Sequence, residues 1–242
     1  MKIIWSKTLE DLRSKCTYFQ GAFRKNGDVL SLYHWGWSDE FSEVELSAES
    51  GEVIAVKRES MEKQKELKKL YDYREEASRE DYVKSFGEYT VINNIGQWGY
   101  SCHKNGELIW KKSLRAYLYT EIERYGDTLV FGTDGQGGHF YGLDIETGEI
   151  RFDFNTKGTA RYFIYGEDFI FISHERNRYT RIFRISRNGE VLDSIEIAGD
   201  SSDYDGPVEL IGDKFYILTK KAKKDKDGWE IRTPTVYCIS IE

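Results

Sequence analysis

Apolar and polar residues alternate along most of this chain in short runs, and glycine beside an acidic residue punctuates them. A period of two marks half-buried β-strands. Five stretches align without gaps on a Gly-acid turn followed by such a run: NGDVLSLY (26–33), FGEYTVIN (86–93), YGDTLVFG (125–132), YGEDFIFI (165–172) and IGDKFYIL (211–218). From Gly87 the turns recur after 39, 40 and 46 residues, at Gly126, Gly166 and Gly212; Gly27 precedes Gly87 by 60. A second turn follows in the first four repeats: ESGEVIAV (49–56), NGELIWKK (105–112), TGEIRFDF (147–154) and NGEVLDSI (188–195). Glycine after Asn, Ser or Thr supplies the positive φ of a tight hairpin. Each repeat therefore predicts four antiparallel strands, a to d, with a Gly-acid turn between a and b, a variable b–c loop and a Gly-Glu turn between c and d. Four strands in about forty residues make one blade of a β-propeller.

The fifth repeat ends TVYCISIE at Glu242, with strands a, b and c but no d. The missing strand is expected at the start of the chain, where KIIWSK (2–7) matches ELIWKK (107–112), strand d of the second repeat. Supplying it from there leaves no blade with an unpaired partner. The prediction is a single all-β domain, 1–242: a five-bladed propeller of four-stranded blades. Its blades are expected at 17–57, 85–112, 115–154, 159–196 and 206–242, with 1–7 as the outer strand of the last. The first repeat is longer by the segment 58–84, where Met61, Leu67, Leu70, Tyr71 and Ala77 form a narrow stripe at helical spacing. It predicts a helical insertion on the rim between blades one and two.

GLDIETGEIRF (142–152) resembles the quinoprotein-type repeat of PQQ-like β-propellers, A-x-D-x-x-T-G-x-x-x-W. Asp144, Thr147 and Gly148 match, Gly142 replaces Ala and Phe152 replaces Trp; Trp110 keeps the final aromatic in the second repeat. The resemblance implies the propeller fold, with these residues tying neighbouring blades together. Quinone-binding members are long, exported enzymes with a larger ring, a metal site and adjacent cysteines. Five blades and no vicinal cysteine pair imply the fold without the cofactor, so none is expected.

Charged residues make up 32% of the 242 and aromatics 15%, with 17 tyrosines, too aromatic a profile for disorder. The net charge of −7 argues against nucleic acid, which needs a basic face; an acidic protein meets water, cations or basic protein surfaces. Cys16, Cys102 and Cys238 show no C-x-x-C, which suits reduced thiols, and the latter two lie in alternating runs as buried hydrophobes. Charges throughout residues 1–20 leave no apolar core for a signal peptide, and no window approaches a membrane span. A cytoplasmic monomer is expected.

Candidate chemistry is sparse. His34, His103, His139 and His174 fall in four repeats without metal-ligand spacing, so no metal is expected. TDGQGGHF (133–140) lacks the Lys-Ser/Thr and helix of a phosphate loop. DSSDYDG (200–206) crowds acids, but Ser201 and Gly212 stand where a calcium loop needs its first ligand and closing Glu. Glycosidase-like chemistry would need paired carboxylates. Glu121, Glu123 and Glu209 are the inner-strand candidates, in no catalytic motif, and no catalytic residue is assigned.

The b–c loops carry more. HWGWSDEF (34–41), NNIGQWGY (93–100), SHERNRYT (173–180) and KKAKKDKDGWE (220–230) hold four of the six tryptophans, Trp35, Trp37, Trp98 and Trp229, on one predicted face. Tryptophans there either cover the tunnel or serve as anchors for a partner, and aromatics beside arginine have hot-spot composition. The expected contact set is Trp35, Trp37, Asp39, Gln97, Trp98, His139, His174, Arg176, Arg178 and Trp229. The reading is a non-catalytic propeller that binds another protein, with a basic one favoured by net charge. An inhibitor or a toxin-immunity protein is the narrower version. A carbohydrate- or small-ligand-binding propeller is the alternative, which the dissimilar loops disfavour, and a glycosidase-like enzyme comes third.

Overall fold

The structure is a computed structural model that describes residues 1–10, 20–35, 41–59, 81–94, 99–114, 117–134, 138–158, 160–175, 179–199, 207–224, 226–228 and 230–242. They form strands β1 to β21 in five antiparallel sheets, with no α-helix among them. β1 (Lys2–Thr8) opens the chain. Sheet one is β2 (Gln20–Asn26), β3 (Val29–Trp35), β4 (Phe41–Ser47) and β5 (Val53–Glu59), in that order. Sheet two is β6 (Tyr82–Phe86), β7 (Tyr89–Asn94), β8 (Gly99–Lys104) and β9 (Glu107–Ser113). In sheet three the first position is divided: β10 (Tyr117–Leu118) and β11 (Glu123–Tyr125) both pair with β12 (Thr128–Asp134), followed by β13 (His139–Asp144) and β14 (Ile150–Asn155). Sheet four is β15 (Tyr162–Tyr165), β16 (Asp168–Glu175), β17 (Tyr179–Ile185) and β18 (Val191–Ala198). Sheet five is β19 (Val208–Ile211), β20 (Lys214–Lys224) and β21 (Glu230–Ser240), with β1 added as its fourth strand.

The opening strand thus completes the last sheet, Lys2 facing Ser240 and Thr8 facing Thr235. The turn glycines between first and second strands, at 27, 87, 126, 166 and 212, all have positive φ, as the pattern required. Of the segment expected to be helical, Arg58 and Glu59 end β5 and Tyr82, Val83 and Lys84 begin β6; 60–80 lie outside the described residues. Strand begins at Tyr82 because YVKSF alternates half-buried and exposed positions.

Two compact units emerge: Met1–Arg74, Glu175–Thr180 and Ile195–Glu242 in one, Glu75–His174 and Arg181–Ser194 in the other. The first is centred on Trp5, Phe23, Leu30, Leu32, Val44, Leu46, Tyr216, Leu218, Val236 and Cys238, where sheets five and one pack face to face. In the second, sheets two and three meet around Tyr100, Trp110, Leu129, Phe131 and Leu143, and sheets three and four around Phe140, Phe152, Phe169, Phe171 and Ile185.

One device links sheets within both units. Trp5 and Trp110 occupy the same position of two fourth strands with the same burial pattern, each opposite a buried cysteine, Cys238 and Cys102. Each indole lies over a glycine in the third-to-fourth turn of the next sheet. A Cβ would stand 2.4 Å from Trp5 Cε3 at Gly51 and 2.7 Å from Trp110 Cδ2 at Gly148. Trp5 Nε1 donates to Ala48 O (3.1 Å) and Trp110 Nε1 to Ile145 O (2.7 Å), each three residues before the glycine. Phe152 sits against Gly189 in the same way.

The D-x-x-T-G residues build that seat. Asp144 Oδ1 accepts from Glu146 N (2.9 Å), Thr147 N (2.9 Å) and Thr147 Oγ1 (3.1 Å), folding the turn that presents Gly148. Their role is structural, as the resemblance implied. In sheet one Ser47 and Ser50 stand in their places, Ser50 N donating to Ser47 Oγ (3.2 Å).

The pairing of the last two strands shifts register in sheets one, two, three and five, just past the joining turn in the first three. The unpaired residues are Ile54, Ile109, Arg151 and Ile4. A bulge turns two successive residues outward, so Ile3 and Ile4, Val53 and Ile54, and Leu108 and Ile109 are exposed. It also blunts the free edge of the sheet.

Candidate functional site

Each second-to-third strand connection leaves its sheet at the end opposite the two glycine turns. The structure places Trp35 as the last residue of β3, Trp37 and Asp39 between β3 and β4, and Gln97 and Trp98 between β7 and β8. Arg176 and Arg178 stand between β16 and β17, and Trp229 between β20 and β21. The side chains of these eight lie outside the described residues. Trp5 and Trp110, the remaining tryptophans, are both buried sheet-to-sheet plugs.

What is described is the framework that holds these connections. In sheet two the buried Asn93 donates Nδ2 to Gly99 O (3.2 Å) across the base of the connection. In sheet three Thr133, fully buried, does the same by two bonds: its Oγ1 accepts from His139 N (2.9 Å) and donates to His139 O (3.2 Å). Gly138 O accepts from Thr156 N (2.8 Å) and lies 2.7 Å from Thr156 Oγ1. A Cβ at Gly138 would come within 1.9 Å of Gly158 O, so this contact has room for glycine alone. The glycine-rich stretch TDGQGGHF is therefore anchored at both ends of 135–137.

His139 and His174 are the expected contact residues whose side chains are described. Nδ1 of His139 donates to Asp153 Oδ1, and its ring stacks on Tyr141 with centroids 5.3 Å apart. Burial, and then the Asp153 carboxylate, push the Tyr141 hydroxyl up to about 12, so it stays protonated. With Nδ1 held by Asp153, Nε2 is the nitrogen left to face a ligand. Asp153 and Tyr141 were not singled out in the sequence. Cross-strand register was the missing signal: Tyr141 faces Asp153 and His139 faces Asn155, which puts all three side chains on one face. His174 is 5% exposed and its backbone N–H donates to Thr156 O (2.9 Å). It belongs to the same buried frame, and little of it remains for a partner to touch.

The basic stretch 220–230, expected as a loop, is mostly strand. β20 and β21 stay paired from Lys220 opposite Pro234 to Lys224 opposite Glu230. Alternation of Ile231, Thr233 and Thr235 on β21 extends the ladder; the lysine run opposite hides it from an apolar count. Their neighbours stop earlier. β19 pairs only with Lys214 to Ile217 and β1 ends opposite Thr235. Pro234 stands at that boundary, where a strand can spare an N–H.

Of the carboxylates expected on inner strands, Glu123 begins β11 while Glu121 lies between β10 and β11, and both are ion-pair partners of Lys84. Lys84 Nζ sits 2.5 Å from Glu121 and 3.4 Å from Glu123, and Tyr82 donates to Glu121 (3.1 Å). Lys84 first, and then Tyr82, hold the Glu121 carboxyl below its ordinary range. A general acid needs the opposite shift. Glu209 belongs to the other unit. Burial pushes the Cys102 thiol up to about 11 and raises that of Cys238, so both are inert buried hydrophobes. Among the described residues no cluster of three metal ligands occurs.

No known sequence family matches the chain, and no curated protein matches it. Among solved structures it is similar to BamB from Moraxella catarrhalis, at 11% identity and a TM-score of 0.38 over 89% of this chain and 57% of that one. It is similar to the WD40 domain of Toxoplasma gondii coronin, at 8% identity and a TM-score of 0.40 over 99% of this chain and 87% of that one. A third is the dihydro-heme d1 dehydrogenase NirN, at 13% identity and a TM-score of 0.40 over 86% of this chain and 45% of that one. The chain thus spans 57% of the length of BamB. The resemblance is to β-propellers, at low identity, and it is one of fold.

Proposed function

We propose that the five sheets close into a five-bladed propeller that binds another protein, without catalysis, through the face formed by its second-to-third strand connections. The observation that carries this is the division of the tryptophans. Two of six are buried plugs between sheets, and the other four fall in or at these connections in three sheets. A strand-core tryptophan is explained by packing; one in a connection gains most from a partner that covers it. Asp39, Gln97, His139, Arg176 and Arg178 would rim such anchors with hydrogen bonds and charge. An acidic, compact binder of this kind suits an inhibitor or immunity protein.

The test is affinity capture from the native source with the tagged protein beside its Trp35→Ala, Trp98→Ala, Trp229→Ala variant. A protein retained by the intact bait and lost by the variant supports the reading. Single anchors should each weaken the purified partner by about 2 kcal/mol or more. An affinity unchanged by Trp35→Ala and Trp98→Ala places the contact elsewhere. Retention of nothing by the intact bait moves the function to small ligands.

A further inference from the structure

The doubled strand β20–β21 outruns its sheet. Five successive pairs, Lys220–Pro234 to Lys224–Glu230, lie beyond the last pairings of β19 and β1. At about 3.3 Å per residue the four steps from Lys220 to Lys224 make a two-stranded arm of about 13 Å. Residues 220–232 hold six basic and three acidic residues, so the arm carries +3 in a chain of −7 and the rest of the protein carries −10. Lys221, Lys223, Lys224 and Lys226 are exposed. Register sorts them by face: Lys221 and Lys223 share one with Thr233 and Ile231, and Lys224 lies on the other. A bare run of lysines on a loop would be a solvated tether. Here a β-ladder fixes two of them at i and i+2, about 6.6 Å apart, beside an aliphatic side chain.

We propose that this arm is a docking element for an acidic, extended segment of a protein partner. The inference rests on the protein-binding reading above and supplies the chemistry of the partner at one place. Carboxylates at alternate positions of an extended segment match the spacing of Lys221 and Lys223, and their intervening methylenes match Ile231 and the lysine stems. A short acidic segment needs the arm alone, whereas a long polyphosphate would also run over the acidic remainder of the chain, which favours a protein over nucleic acid.

Fluorescein-labelled poly-L-glutamate is the probe, titrated by anisotropy at low and at physiological ionic strength. The Lys221→Glu, Lys223→Glu variant is compared with Lys111→Glu, Lys112→Glu on β9, which changes net charge equally at another sheet. The arm variant should bind about ten-fold more weakly and the β9 variant within two-fold of the wild type, with a salt dependence that the arm variant loses. Equal loss in both variants, or no binding by the wild type, overturns the proposal. Tighter binding of a labelled DNA duplex, lost in the arm variant, also overturns it and assigns the arm to nucleic acid. A partner captured through the tryptophan face but indifferent to the arm variant sinks this inference and leaves the function standing. Arm-dependent poly-L-glutamate binding with nothing captured does the reverse.

Discussion

A methyl group on Gly148 would fall 2.7 Å from Trp110 Cδ2, on a backbone whose φ is +68°. Gly148→Ala should therefore lose about 2–4 kcal/mol in urea unfolding, combining overpacking with left-handed strain. Gly126→Ala has φ +58° and open space around the new methyl, so strain acts alone and the loss should be about 1–2 kcal/mol. Equal losses would remove the indole seat as the reason for Gly148. The hydroxyl of Tyr100 is buried without a hydrogen-bond partner among the described residues, while its ring stacks on Phe131 at 5.0 Å. Tyr100→Phe should accordingly be neutral or raise stability by up to about 1 kcal/mol; a loss of 2 kcal/mol or more would mean the hydroxyl is satisfied. Turn glycines were legible in the sequence because a positive φ leaves few other residues. The reason for Gly142 was not, since it lies across the strand: a Cβ there would stand 2.3 Å from Phe152 Cε1, its cross-strand partner. Glycine in place of alanine and phenylalanine in place of tryptophan are one adjustment seen twice.

Among elements, β1 bears the heaviest load for its length. It supplies the fourth strand of sheet five and, through Trp5, the contact with the turn of sheet one. Deleting residues 1–7 removes both, and the loss should be several kcal/mol against the roughly 5–15 kcal/mol margin of a whole domain. Thermal unfolding checks this: an unchanged Tm would mean that β1 contributes nothing to closure of the sheet. The likeness of KIIWSK to ELIWKK made this strand legible, because a packed tryptophan between exposed aliphatic pairs and lysines is a distinctive word. The bulges that expose those pairs were not, for a strict period of two has no place for Ile3 beside Ile4. The arm escaped for a related reason: lysines on both faces erase the alternation that identifies a strand.

Across the whole molecule, carboxylates in the second unit are held below their ordinary range by partners. Tyr89 and then Lys104 do this to Glu146, and Lys84 does it to Glu121. A carboxyl depressed by folding contributes stability that is complete above its unfolded value, 4.5 for glutamate, and is lost as pH falls through the folded one. The contribution of these two groups should be flat above about pH 5 and fall with acid below the unfolded value. Glu146→Gln removes one such group, so the Tm gap between wild type and variant should shrink as pH drops through that window; a constant gap would refute the linkage. Fold and chemistry differ in legibility at this scale. Turns and plugs recur, and recurrence can be read from one sequence. The proposed binding surface lies in the connections that repeat least, and in the sequence only the placement of Trp35, Trp37, Trp98 and Trp229 points to it. The plug and seat have one more consequence. Trp5 and Trp110 offer nearly the same plug, and Gly51 and Gly148 nearly the same socket, yet plug and socket always belong to different sheets. An excised sheet three would carry an uncovered Phe152 at one side and an empty seat at Gly148 at the other, so a fragment that keeps its fittings holds at least two repeats. Where the fittings are alike, at the Trp5–Gly51 and Trp110–Gly148 junctions, the plug of one repeat could be exchanged for that of the other without redesigning the seat.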